Sequence, residues 1–130
     1  MRVYIAGPLS SDDPAVKLAN VERAMTAALQ VIKLGHAPFL PHLFYYLEQH
    51  AALVGIHVSY EEWMELDMKW LRRCAAFIYL GSSPGADREL VESKKLDLPA
   101  FNSVEAFASW IKADYAFKPG VSREVHDGDV

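Results

Sequence analysis

The sequence predicts a single α/β domain built on a parallel β-sheet. Four short apolar segments have the length and composition of buried strands, and they cover residues 3–6, 36–40, 75–80 and 98–101. The segments between them have the apolar periodicity of helices, and strands that alternate with helices are typical of a parallel sheet with right-handed crossovers. A chain of 130 residues with 52% apolar residues is long enough to bury one core, but it is short for two domains.

Composition excludes several classes of function. The net charge of −4 argues against a nucleic acid polymer as partner, because no basic stripe is present to displace counterions. No apolar run approaches the roughly 18 residues needed to span a bilayer, and no signal peptide is recognisable, so we expect a cytoplasmic protein without a membrane partner. The single Cys74 and the spacing of the histidines predict neither a disulfide nor a metal site.

The first strand, residues 3–6, runs into a Gly7-Pro8 turn. Because ligands of α/β sheets sit outside the carboxyl ends of the strands, this turn is predicted to border a binding crevice. Gly7 would let a ligand approach the backbone, and Pro8 would stiffen the turn. Tyr4 is either a core aromatic or a hydroxyl directed at that ligand, and the pattern leaves both interpretations open.

The clearest amphipathic helix covers residues 20–34, and Gly35 is predicted to end it. Its predicted apolar face consists of Val21, Ala24, Met25, Ala28, Leu29 and Ile32. Pro38 indicates that the second strand lies at a sheet edge. The aromatic segment that follows, residues 41–47, is either a core helix, the wall of a base-binding pocket or a contact between subunits. His42 in this segment is within reach of the crevice, although a lone histidine is more often structural.

The next helix, residues 60–73, places Asp67 inside an apolar surface, one turn after Trp63. An ionised carboxylate there costs several kcal/mol unless it is paired or opens into a cavity. The structural alternative is a buried Asp that caps a loop or pairs with Arg72 or Arg73. The position otherwise favours a carboxyl with a raised pKa that serves as an acid.

After the third strand, Ser83 is predicted to cap a helix that begins at Pro84. The free N–H groups at such a helix start can bind an anion. Glu89 follows a turn and a half later, and we expect the helix N-terminus to favour its ionised form. Together with Asp67 it supplies the two carboxylates that glycosidic bond cleavage uses, one as nucleophile and one as acid.

A last helix is predicted from the Ser103 cap through Ile111. The domain is therefore expected to cover residues 1–113. Residues 114–130 lose periodicity and are predicted to form a flexible tail or an interface arm.

Four motifs in order resemble the nucleoside 2-deoxyribosyltransferase superfamily, over roughly residues 1–101. They are Tyr4-Ile5-Ala6-Gly7-Pro8, Asn20, Trp63 with Asp67, and Ser83-x-Gly85-Ala86-x-x-Glu89. The chain is most similar to the small 2′-deoxynucleoside 5′-monophosphate N-glycosidase-like members. The resemblance implies a Rossmann-like, flavodoxin-like three-layer sandwich with four or five parallel strands. It also implies a homodimer, a nucleotide or nucleoside ligand, and no metal or organic cofactor.

By the same resemblance, Glu89 is the nucleophile that forms a covalent glycosyl-enzyme and Asp67 is its acid/base partner. Tyr4 places the nucleophile through its hydroxyl, and Gly7 with Pro8 lies beside the sugar. Deoxyribosyl transfer between free bases, and a nucleotide-binding module without activity, are the alternatives to hydrolysis.

Ser83 favours a phosphorylated substrate over an unphosphorylated one. The resembling enzymes that act on unphosphorylated nucleosides tend to carry an Asp here, whereas a Ser resembles the branch that accepts a 5′-phosphate. A hydroxyl and the helix N–H groups around Gly85 and Ala86 would hold a phosphate that an Asp would repel. Arg88 either adds a positive charge to that phosphate or faces the solvent, and His42 is predicted to contact the substrate.

Overall fold

A computed structural model of the chain describes residues 1–115. Its elements, in order, are β1 (Arg2–Ala6), α1 (Pro14–Lys33), β2 (Ala37–Phe39), a 3₁₀ turn (Pro41–Leu43), α2 (Phe44–Val54), α3 (Tyr60–Leu71), β3 (Ala76–Tyr79), α4 (Pro84–Lys95), β4 (Ala100–Phe101), α5 (Val104–Trp110) and a π-helical turn (Ile111–Tyr115). Apart from its first two residues, the predicted tail at 114–130 lies outside the described part of the chain.

The four strands form one parallel sheet in the order β2-β1-β3-β4, which confirms the predicted α/β architecture. Alternate residues of β1 serve opposite faces of the sheet. Val3 and Ile5 join the core beneath α1 and α5, whereas Tyr4 and Ala6 join the core beneath α3 and α4. The chain leaves β1 towards β2 and later returns to β3 on the other side of β1. This reversal opens a crevice at the carboxyl ends of β1 and β3.

Helix α1 begins at Pro14, six residues before the predicted start. The Asp13 side chain accepts a hydrogen bond from the Ala15 amide (2.9 Å), and Pro14 occupies the first turn, so the start has ordinary capping chemistry. The predicted face is also wrong in phase: Leu29 and Ile32 are 62% and 52% exposed. The face that packs on the sheet consists of Val21, Ala24, Ala27, Ala28 and Val31. Its three alanines let the helix lie close to β1.

Residues 41–47 do not form a core helix: Pro41 and His42 are buried in the 3₁₀ turn, but none of the residues in α2 is buried. The helix continues to Val54 and ends at Gly55, which has φ +72°. Pro38 does lie on an edge strand, since β2 pairs with β1 alone among the described strands. Within residues 1–115, no helix combines the length and the apolar character needed to cross a bilayer.

Candidate functional site

A cavity of about 370 Å³ lies at the carboxyl ends of β1 and β3. Its walls come from the loop after β1, the 3₁₀ turn, the start of α2, one face of α3 and the first turns of α4. Seven of the residues predicted from sequence line it, namely Gly7, His42, Asp67, Ser83, Gly85, Ala86 and Glu89. The sheet reversal therefore brings together residues of the loop after β1 and of α4, which lie up to about eighty positions apart in the sequence.

Tyr4 lies directly beneath the cavity. Its ring is fully buried, with the Phe39 and Phe77 ring centroids 5.5 Å and 5.7 Å away. The hydroxyl donates a hydrogen bond to Oε2 of Glu89. Burial, followed by the neighbouring Glu89 charge, raises the pKa of Tyr4, so the hydroxyl keeps its proton and remains a donor. Tyr4 is thus a core aromatic and a site residue at once.

Glu89 is 5% exposed, and its pKa is raised to about 8. Burial is the main cause and the nearby Asp67 charge adds to it, whereas the hydrogen bond from Tyr4 acts in the opposite direction. The expectation that the helix N-terminus keeps Glu89 ionised is therefore wrong. Glu89 is the sixth residue of α4, beyond the first turn in which the helix dipole is effective, so desolvation dominates.

One face of α3 forms a wall of the cavity rather than part of the core. Tyr60, Trp63, Met64 and Asp67 follow the i, i+3, i+4, i+7 spacing, and all four line the cavity. This explains why a carboxyl occurs in an apolar stripe. Burial raises the pKa of Asp67 to about 7, and its Oδ1 has no hydrogen-bond partner within residues 1–115.

Within residues 1–115, Asp67 forms an ion pair with neither Arg72 nor Arg73. Arg72 instead contacts Glu92 on α4, with 3.4 Å between Nε and Oε1. Asp67 therefore remains available to a ligand.

Tyr60 was not predicted as a site residue, although a local signal marks its position. Ser59 and Glu62 form a capping box: the Ser59 hydroxyl accepts from the Glu62 amide (3.1 Å), and Glu62 accepts from the Ser59 amide (3.0 Å). This pattern fixes the start of α3 at Tyr60 and hence the phase of its cavity-lining face. Leu9 and Ser10, in the loop that follows Gly7 and Pro8, line the cavity too, and so does Phe44, in the segment for which a pocket wall was one interpretation. Glu48 also lines it and was not predicted.

The N-terminus of α4 offers fewer free donors than predicted. Ser83 is the N-cap, as expected, and its hydroxyl accepts from the Ala86 amide (3.1 Å). The Ser83 carbonyl accepts from the Asp87 amide (2.8 Å), and Pro84 has no N–H to donate. Within the described part of the chain, Gly85 is left as the first-turn amide for a ligand.

Arg88 lies outside the cavity. Its two terminal nitrogens donate to the carboxylate of Glu61 at 2.8 Å and 3.2 Å, and the guanidinium packs over the Tyr60 ring. The side chain is 45% exposed. Arg88 thus faces the solvent, which was one of its two interpretations, and its positive charge is paired with Glu61.

His42 is hydrogen-bonded to the loop after β1. His42 is buried, and its Nε2 donates to the carbonyl of Pro8 (3.2 Å). Burial lowers the pKa of His42, so the ring is neutral, and its Nδ1 has no partner in the described chain. A Cβ on Gly7 would lie 3.1 Å from Cβ of Leu80, so the loops after β1 and β3 approach closely there and a side chain would require a small shift.

We expect Asp67→Asn to lower the pKa of Glu89 from about 8, because the substitution removes a neighbouring negative charge that opposes ionisation. Carbon-13 NMR titration of the Glu89 carboxyl would measure the shift. Glu65→Gln, which removes an exposed charge from the same helix, is the matched control and should leave the titration unchanged. An unchanged Glu89 pKa in Asp67→Asn would show that the two carboxyls do not interact.

The chain matches the profile of a known protein family over most of its length. The profile of a family described as "Domain of unknown function (DUF7768)" covers residues 1–102, and the chain belongs to this family. A search of curated proteins found no match. Within residues 1–115, no group of three or more His, Cys, Asp or Glu side chains is arranged to hold a metal ion.

Proposed function

We propose that this member of the DUF7768 family hydrolyses the N-glycosidic bond of a (deoxy)nucleoside 5′-monophosphate, through a covalent glycosyl-enzyme on Glu89. The carrying observation is the pair of carboxyls, Asp67 and Glu89, that line one cavity with pKa values of about 7 and 8. The two values lie within about one unit, so near neutral pH the pair exchanges a proton instead of holding it on one fixed carboxyl. The state with Glu89 ionised and Asp67 protonated contains one nucleophile and one acid, as a retaining glycosidase requires, and the hydrogen bond from Tyr4 favours it.

The contacts around the pair support the assignment of roles. Tyr4 donates to Oε2 of Glu89, which leaves Oε1 to attack C1′ of the sugar. As the C1′–N bond breaks, its electron pair goes to the base, and Asp67 transfers its proton to the departing base nitrogen. In the second step, water attacks C1′, Asp67 accepts a proton from that water, and Glu89 leaves as a carboxylate. The products are free base and sugar phosphate.

The aromatic walls suit a nucleobase. Phe44 and Trp63 line the cavity and stack on each other, with ring centroids 5.5 Å apart, and Tyr60 lies along the same wall. Flat apolar surfaces of this kind stabilise a base through stacking. This arrangement places the base on the side of α3, where Asp67 can protonate it.

Base exchange is the second candidate, and one observation favours it. No lysine or arginine lines the cavity in the part of the chain that the structure describes, and the Ser83 hydroxyl already caps α4. An unphosphorylated nucleoside needs no cation, so transfer of deoxyribose between bases fits this lining. A binding module without activity is the third candidate.

The proposal includes a cytoplasmic homodimer. Helix α2 supports it, because Leu47 and Leu53 are 50% and 84% exposed and a second copy would cover them.

A panel of purine and pyrimidine nucleosides and their 5′-monophosphates, in ribo and deoxy forms, would test these alternatives. We expect at least one 5′-monophosphate to yield free base and sugar phosphate in equal amounts, as measured by chromatography. A second free base in the reaction would produce a new nucleoside if the enzyme is a transferase. Folded protein that releases no base from any substrate would contradict hydrolysis and transfer alike.

A further inference from the structure

The cavity lacks a charge that a nucleotide requires. Glu48, Asp67 and Glu89 line it, and His42 is neutral. A phosphate monoester carries between one and two negative charges at neutral pH, and placing it beside carboxylates costs free energy unless a cation is near. A 5′-monophosphate therefore needs a positive side chain from just outside the lining.

Two of the nearby cations are already paired. Lys17 contacts Glu48, with 3.4 Å between Nζ and Oε1, and Arg88 makes its two hydrogen bonds to Glu61. Each would have to leave an existing partner to meet a ligand.

Arg23 on α1 is exposed and forms no ion pair or hydrogen bond in the described chain. Its Nη2 lies 3.9 Å from the point that a Cβ on Gly81 would occupy, and the Pro8 ring lies 3.4 Å from the same point. The guanidinium thus lies at the junction of the loops after β1 and β3. Gly81, at this junction, is two positions before Ser83. Although burial is the main cause of the lowered pKa of His42, the Arg23 charge also contributes to it.

We infer that Arg23 is the specificity-determining residue that holds the 5′-phosphate at the junction of these two loops. The inference rests on the proposed function. A guanidinium can bind two phosphate oxygens at once, and Gly81 has no side chain to block its approach. The Gly85 amide, beyond Ser83, provides a donor on the other side of the same turn.

The experiment compares ligand binding in Arg23→Gln and the parent, both in a Glu89→Gln background that prevents turnover. The probes are 2′-deoxyadenosine and thymidine, their 5′-monophosphates, and 2-deoxyribose 5-phosphate, with Kd measured by calorimetry. We expect Arg23→Gln to raise the Kd of each 5′-phosphorylated probe that binds at least tenfold and to change that of the nucleosides less than twofold. Raising the salt concentration should weaken phosphate binding in the parent and have little effect in Arg23→Gln. Arg72→Gln, which removes a paired surface charge, should change neither the Kd of the probes nor its dependence on salt.

The outcomes separate this inference from the proposed function. Arg23-dependent binding of the phosphorylated probes without base release by the wild type would uphold the inference and contradict the hydrolase. Equal losses for nucleosides and nucleotides, or a selective loss in Arg88→Gln instead, would overturn the inference and leave the hydrolase standing. Absence of binding by every probe would overturn both.

Discussion

Glu89→Gln is expected to reduce base release at least ~10³-fold, the order of loss seen when a catalytic nucleophile is removed. An amide does not attack C1′, but its oxygen can still accept the hydrogen bond from Tyr4, so the surroundings of residue 89 are preserved. Nucleotide binding should consequently change much less than turnover. Initial rates and Kd values measured on the same preparation would separate the two effects.

Glu92→Gln is the matched control. It makes the same chemical change three residues later on α4, where the carboxylate pairs with Arg72 instead of lining the cavity. Its turnover should stay within twofold of the wild type. Retention of more than a tenth of the activity in Glu89→Gln would refute the assignment of Glu89 as nucleophile.

The second large effect concerns the pH dependence of stability. The pKa of Glu89 is raised from 4.5 to about 8 in the folded protein, so folding favours the protonated form. Its contribution to stability is fully present below about pH 4.5 and is lost as the pH rises through 8. With 1.36 kcal/mol per pKa unit, the loss is roughly 3–5 kcal/mol. Glu89→Gln cannot ionise and should not show this loss.

Between pH 5 and pH 9 the wild type should therefore lose roughly 3–5 kcal/mol of its free energy of unfolding relative to Glu89→Gln. Urea titrations at several pH values would measure this difference. Glu92→Gln should follow the wild-type curve, since its carboxylate is only partly buried and is paired. Parallel curves for Glu89→Gln and the wild type would mean that Glu89 is not desolvated in the folded state.

Local signals were sufficient for most of the fold. Strand composition predicted the four strands, Ser83 and Ser103 marked two helix starts, and Asp67 was recognisable because a carboxyl in an apolar stripe needs a cavity or a partner. The phase of α1 was not predictable from periodicity alone. Alanine is only weakly apolar, so the larger Leu29 and Ile32 outweighed the small residues that pack on the sheet.

Properties that depend on distant contacts were harder to predict. Whether Glu89 is ionised depends on its burial and on its contacts with Tyr4 and Asp67, whereas the sequence shows only the nearby helix start. Which arginine is free depends on Glu61 lying beside Arg88 across the α3–α4 contact. The cavity wall formed by Tyr60 was within reach of sequence reasoning, because the Ser59 capping box fixes the phase of α3.

The close approach at Gly7 has a consequence for sequence divergence. A methyl group there would lie 3.1 Å from the β-carbon of Leu80, closer than side chains usually pack, so a larger residue requires the two loops to move apart by a few tenths of an ångström. Because these loops frame the cavity, such a shift would also change the spacing of the strand ends around a ligand. The identity of residue 7 is thus linked to the width of the site.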